Sequence, residues 1–251
     1  MEGRSNPRPK AGCGEPARFD IWANNPYTTG GPSHESAGKD DVSLGDLPEM
    51  GRLLKKAEAA GHIDNDVGRV RFWITEFSWD SAPPDPGGLK MGTLCRWTSE
   101  AMFRAWQAGV SNFFWLSLRD WPRDSGLPYS QTIESGLYFR GRTLEKDRPK
   151  RVLKAFRFPF VAYRKTAGIS VWGRTPDSSS GRVLLSYRLG GGWKDLGIVR
   201  ASGGGVFRSV IKTELGGNMS GVVRAEYGPD LSLPFSLRPV KDRRQAPFGN
   251  K

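Results

Sequence analysis

Long apolar runs are missing from these 251 residues. No stretch approaches the ~20 uninterrupted apolar residues that cross a bilayer as a helix, which excludes an integral helical membrane protein. Cysteine is scarce: Cys13 and Cys95 permit at most one bridge and exclude a disulfide scaffold or a Cys-rich zinc site. Histidine is as rare, with only His34 and His62, and no third ligand lies nearby in sequence, so no metal and no cofactor are expected. The first ten residues hold no apolar stretch, so no signal peptide is visible in the sequence as given. No Gly-x-Ser-x-Gly elbow occurs, which leaves serine-hydrolase chemistry without support. What is present is core material. Apolar residues make up 37%, with 9 Trp and 13 Phe, enough to exclude whole-chain disorder.

The net charge of +12 is unevenly spread. Residues 1–138 carry 15 Lys and Arg against 18 Asp and Glu, whereas 139–251 carry 23 against 8. In the basic half the cations are scattered singly through strand-like segments such as 182–188, as on solvent-facing strand positions. No basic helix face or aromatic RNA-binding signature accompanies them, so no specific nucleic-acid partner is expected, although attraction for polyanions is an open alternative.

Local patterning divides the chain into four parts. Residues 1–18, rich in Pro, Gly and Arg, read as a loose lead-in. In 19–165, strands alternate with helices: 19–23, a helix from Asp46 to Ala60, 70–76, a helix from Thr93 to Ala108, 112–118, and a short helix over 149–158. Asp46 and Glu49 have the spacing of a capping box, and Gly61 and Gly109 are natural stops. Period-2 parity puts Val70, Phe72, Ile74 and Glu76 on one face. The nearly unbroken apolar run 112–118 reads as a strand buried on both faces. Short crossovers of this kind require parallel strands, hence an α/β class, doubly wound or part of a barrel. In 166–240, about six short alternating runs separated by Gly, Pro, Asp and Ser read as a small antiparallel β-sandwich, with 190–192 and 203–205 as its turns. Residues 241–251 form a polar tail.

Glu76 stands where barrel enzymes place catalytic groups, at the C-terminal end of a parallel strand. Tyr27, Trp79 and Trp115 lie at three consecutive strand ends and offer flat rings on which a pyranose can stack. These segments, Asp20-Ile21-Trp22-Ala23-Asn24-Asn25-Pro26-Tyr27, Ile74-Thr75-Glu76-Phe77-Ser78-Trp79 and Phe114-Trp115-Leu116-Ser117-Leu118-Arg119-Asp120, resemble strands six, seven and eight of clan A retaining glycoside hydrolases, the (β/α)8 enzymes of the cellulase and β-xylosidase type. The resemblance covers about 19–165. It implies a partial TIM barrel followed by the sandwich, a carbohydrate substrate, and a secreted or cell-surface location. It makes Glu76 the nucleophile, Tyr27 the hydrogen-bond partner that orients it, and Trp115 the platform under the cleaved sugar. Asn25, Trp79 and Arg119 complete the substrate-binding set. Relatives often carry His-Pro-Tyr where this chain has Asn25-Pro26-Tyr27, and Asn bonds a sugar hydroxyl but cannot titrate.

Retaining glycosidases need two carboxylates ~5–5.5 Å apart. The clan's acid/base lies in an Asn-Glu pair, and that dipeptide is absent here. A whole barrel takes ~250 residues, so the sequence reads as the C-terminal piece of an enzyme, inactive by itself. It implies a missing N-terminal barrel half and an open sheet exposing Phe19, Phe72, Ile74 and Phe113. Asp120, Asp124 and Glu134, in the loop after the third strand, are expected to be solvated. Arg119 can bind a sugar or pair with Asp120 or Glu76. Trp172 and Trp193 are expected to be structural, with a sugar platform as the alternative. A non-catalytic carbohydrate-binding or surface protein is the alternative function.

Overall fold

The structure, a computed structural model, describes residues 12, 14–38, 40–123, 126–166, 168–213 and 220–238. Cys13, Asp124, the tail 241–251 and most of the lead-in 1–18 lie outside the described residues.

The architecture is mixed α/β, with three α-helices among the described residues and mostly antiparallel sheets. Its first part holds β1 (Ile21–Asn24), α1 (Leu47–Ala59), β2 (Arg71–Phe77), α2 (Met91–Ala108) and β3 (Val110–Trp115). The strands form a three-stranded parallel sheet in the order β1-β2-β3, with Asn24 paired to Ile74 and Phe77 to Trp115 at the C-terminal ends. Both long helices form where apolar residues recur at helical spacing. Leu47, Leu54 and Ala57 of α1 and Leu94, Trp97, Ala101 and Ala105 of α2 share one core with Phe72, Ile74 and Phe77. A side chain at Gly51 would run into the Ala108 carbonyl, so glycine allows α1 to press against the end of α2. Gly109, at φ 88°, stops α2 in a left-handed cap. Asp46 stands before α1 without capping it. Its carboxylate turns upstream instead and accepts from the Ser36 and Ser43 amides at 2.9 and 3.0 Å.

Three expectations about this sheet are corrected. A register irregularity between Ile74 and Phe77 hands the buried face from Ile74 to Phe77, so Glu76 stays half-exposed beside the buried row. β3 is not buried on both faces; Ser111, Asn112 and Phe114 are exposed. The helices cover Phe72 and Ile74 completely, while Phe19 and Phe113 are half-buried. The apolar groups the sheet exposes are different ones: Ile21 at 38%, Trp22 at 37% and Phe114 at 47%. Phe114 leans on Trp73 with ring centroids 6.0 Å apart, which marks the face of the sheet away from the helices.

After α3 (Arg151–Arg157) come two antiparallel sheets. One contains β4 (Phe160–Lys165), β5 (Gly168–Arg174) and β8 (Val206–Lys212). The other contains β6 (Gly181–Arg188), β7 (Lys194–Ala201) and β9 (Val222–Tyr227), extended by β10 (Asp230–Leu231) and β11 (Phe235–Ser236). Ile169, Val171 and Phe207 of the first sheet share a core with Val183, Leu185, Val199 and Val223 of the second, a sandwich-like arrangement. The boundary expected at 165/166 falls inside the β4–β5 hairpin, because Phe160–Lys165 pairs fully with Gly168–Gly173. The outer side of β5 is covered too: Trp172 packs on Phe103 and Trp106 of α2 at 5.4 and 5.7 Å. Arg96 joins the two parts by donating to the Ser236 carbonyl at 2.8 Å.

Candidate functional site

The turn after β1 meets the Glu76 carboxylate at the end of β2. Parallel pairing brings the turn after β1 beside the end of β2, so the Asn25 side-chain N–H donates to Glu76 Oε2 at 3.3 Å. Asn25 is itself oriented by the Thr75 hydroxyl, which donates to its Oδ1 at 2.8 Å. The phenol of Tyr27 lies within interaction range of the Glu76 carboxylate and the Ser78 side chain. Burial, reinforced by the Glu76 carboxylate, pushes that phenol up to about 12, so at neutral pH it keeps its proton and serves as a donor. The Tyr27 ring is stacked on Phe77 at 5.8 Å, which fixes its direction. Glu76 is thus half-exposed, hydrogen-bonded by the Asn25 amide and flanked by the Tyr27 phenol, both from the neighbouring strand's end.

Trp115, paired in register with Phe77, is half-buried. Its indole N–H donates to the Ser135 carbonyl at 2.7 Å and its ring meets Phe156 at 6.0 Å. The loop after β3 and α3 therefore set the orientation of this ring.

Two expected site residues are placed elsewhere. Trp79 is 5% exposed. It is wedged against Phe77 at 4.6 Å and Trp97 at 5.5 Å, so it is a core residue with no face for a ligand. Arg119 pairs with Asp147 at 2.6 Å and donates to the Gly141 carbonyl at 3.3 Å, and neither Asp120 nor Glu76 is its ion-pair partner. The backbone carbonyl of His34 accepts from the Ser43 hydroxyl at 2.7 Å. Trp172 is buried as expected, and both guanidinium groups of Arg188 and Arg224 lie over the Trp193 ring, at 4.9 and 4.1 Å.

A second polar cluster, not anticipated from the sequence, lies beneath the loop after β3. Asp120 and Glu134 are buried rather than solvated. The ammonium of Lys150, equally buried, donates to Asp120, to the Ser81 hydroxyl at 2.8 Å and to the Glu134 carbonyl at 2.8 Å. Burial pushes Asp120 up and Lys150 down, and their mutual contact opposes both shifts. Asp80 accepts from the Glu134 amide at 2.8 Å; burial raises its carboxyl to about 6, and it acts electrostatically on Tyr27. Both oxygens of the Glu134 carboxylate lack a hydrogen bond, and burial raises this group as well. The sequence signal was slight: Asp80 directly follows the Glu76 strand, but Lys150 and Asp120 lie 30 residues apart. Among the described residues no group of acidic, His and Cys side chains is arranged to hold a metal ion. The thiol of Cys95 is free and buried, and burial pushes it up to about 11.

No protein-family model and no curated protein matches the chain. Among solved structures, the chain is similar to an engineered protein whose crystal structure was determined at 1.98 Å, with 8% identity and a TM-score of 0.28. The similarity covers 86% of this chain and 48% of that one, so this chain spans about half of that protein's length. A likeness this slight says nothing about fold or function. No helix among the described residues is long and apolar enough to cross a membrane.

Proposed function

We propose that Glu76 is the nucleophile of a retaining glycoside hydrolase site, and that β1, β2 and β3 with their helices correspond to strands six to eight of a (β/α)8 barrel. The observation that carries this reading is the half-exposed Glu76 carboxylate at the end of the central parallel strand, hydrogen-bonded by Asn25 and flanked by the Tyr27 phenol. In such a site the carboxylate attacks the anomeric carbon and the leaving-group oxygen departs with the bonding pair, giving a covalent glycosyl ester that water later cleaves. The Tyr27 proton holds Glu76 in place for the attack, and Trp115 offers a ring face to the sugar. The natural place of action of such an enzyme is outside the cell, on oligo- or polysaccharide.

The reading supplies the nucleophile and not the acid. The chain contains no Asn-Glu pair, and the buried carboxylates Asp120 and Glu134 are enclosed with Lys150 away from solvent. Substrates whose leaving group needs protonation are therefore expected to turn over negligibly. Substrates with a leaving group that departs unprotonated should still glycosylate Glu76. The test uses 2,4-dinitrophenyl 2-deoxy-2-fluoroglycosides of gluco, xylo, manno and galacto configuration. One of them should release a single equivalent of dinitrophenolate per chain and then stop, and Glu76→Gln should abolish the burst. Absence of a burst from all four contradicts the assignment. Binding of unmodified oligosaccharide without any burst favours a non-catalytic carbohydrate-binding protein instead.

A further inference from the structure

The seven-residue helix α3 turns Val152 and Ala155 into the core and therefore presents Arg151, Lys154 and Arg157 to solvent. At 1.5 Å per residue, these cations follow one another about 4.5 Å apart along the helix axis. They border a groove of about 450 Å³ between α3 and the sandwich. Its lining also includes Leu153, Phe158 and Leu231, with Asp230 as the acidic group of the lining. Among the described residues none of the three cations takes part in an ion pair. The groove thus combines a rim of three cations, against the single carboxylate of Asp230, with apolar side chains.

That combination narrows the occupant. A sugar-phosphate or polyuronate chain answers the rim and leaves the apolar side chains unmatched, whereas a peptide carrying both carboxylates and apolar side chains answers both. The chain's own ends do not fit by charge: residues 1–11 hold three cations and one carboxylate, and residues 239–251 hold four and one. We infer that the groove beside α3 binds an acidic peptide segment, bearing apolar side chains, from a partner protein. This inference is independent of the glycosidase reading.

Fluorescence anisotropy of a short fluorescein-labelled peptide alternating Glu and Leu, titrated with the full chain, tests it against labelled poly-Glu of equal length. The Glu-Leu peptide should bind more tightly than poly-Glu. Lys154→Glu with Arg157→Glu, both at exposed positions, should weaken it by about tenfold or more, as expected when attraction becomes repulsion at an interface. The double Gln variant should give an intermediate loss at an unchanged melting temperature. Equal binding of poly-Glu would reduce the groove to general polyanion attraction and overturn the proposal, as would full retention of the Glu-Leu peptide by the double Glu variant. Concentration-dependent association in sedimentation, lost in that variant, would assign the groove to a second copy and also overturn it.

Discussion

The two regions of this molecule solve burial differently. In the sandwich, both sheets turn apolar residues inward, and the outer side of β5 is covered a second time by Phe103 and Trp106 of α2. In the α/β region the three parallel strands are covered on one face only. Ile21 and Phe114 remain exposed, and charged groups are drawn under a loop instead. Parallel strands normally have helices or a closed barrel on both faces, so this region has an unmet packing requirement that the sandwich lacks. The sheet ends that carry Glu76 belong to the less satisfied region.

The largest expected effect separates the regions by charge. Lys150→Met leaves the buried Asp120 carboxylate without its ammonium and should cost about 3–5 kcal/mol in urea unfolding. Adding Asp120→Leu should restore much of that loss, and a double variant no more stable than the single would contradict the pairing. Next, Trp79→Ala should cost about 3–5 kcal/mol as a core cavity, whereas Trp193→Ala, losing the guanidinium contacts of Arg188 and Arg224, should cost about 1 kcal/mol. Similar losses for both would remove the distinction drawn between a core ring and a surface one.

Asp80 gives a pH signature confined to the α/β region. Its folded-state carboxyl is raised to about 6, so the folded chain holds this proton more tightly than the unfolded one. Stability from this group is full below about 4, the ordinary carboxyl value, and is lost as pH rises through about 6. Asp80→Asn should therefore stabilise the protein by about 1 kcal/mol at pH 7.5 and leave it unchanged at pH 4. The smallest effect on stability concerns the open face. Phe114→Ser should change unfolding by only about 0.5 kcal/mol, yet reduce binding of a hydrophobic dye and slow self-association. Unchanged dye binding would show that the exposed apolar surface lies elsewhere.

Much of this was legible from local pattern. The helical spacing of Leu47, Leu54 and Ala57, the stop at Gly109, and the alternation of apolar residues in the sandwich strands each depend on neighbours in sequence, and the structure carries all of them. Asn25 and Tyr27 meet Glu76 because parallel order follows from the short crossovers. What stayed hidden depends on distant partners. No Gly or Pro marks the irregularity between Ile74 and Phe77, so period-2 counting does not anticipate that the buried row passes from Ile74 to Phe77. Trp79 beside a Pro-rich loop reads as exposed until Trp97, on another element, is known to cover it. The strand 160–165 follows the Pro159 break so closely that it merges with the end of α3. Asp120 and Glu134 read as solvated charges because their enclosure with Lys150 is a tertiary fact.

Peptide mass mapping after incubation with the reactive fluoroglycoside tests the nucleophile assignment most directly. The account predicts one added glycosyl unit on the fragment containing Thr75-Glu76-Phe77, and none in Glu76→Gln. A glycosyl adduct on any other carboxylate, or an equal yield in the Gln variant, would contradict it.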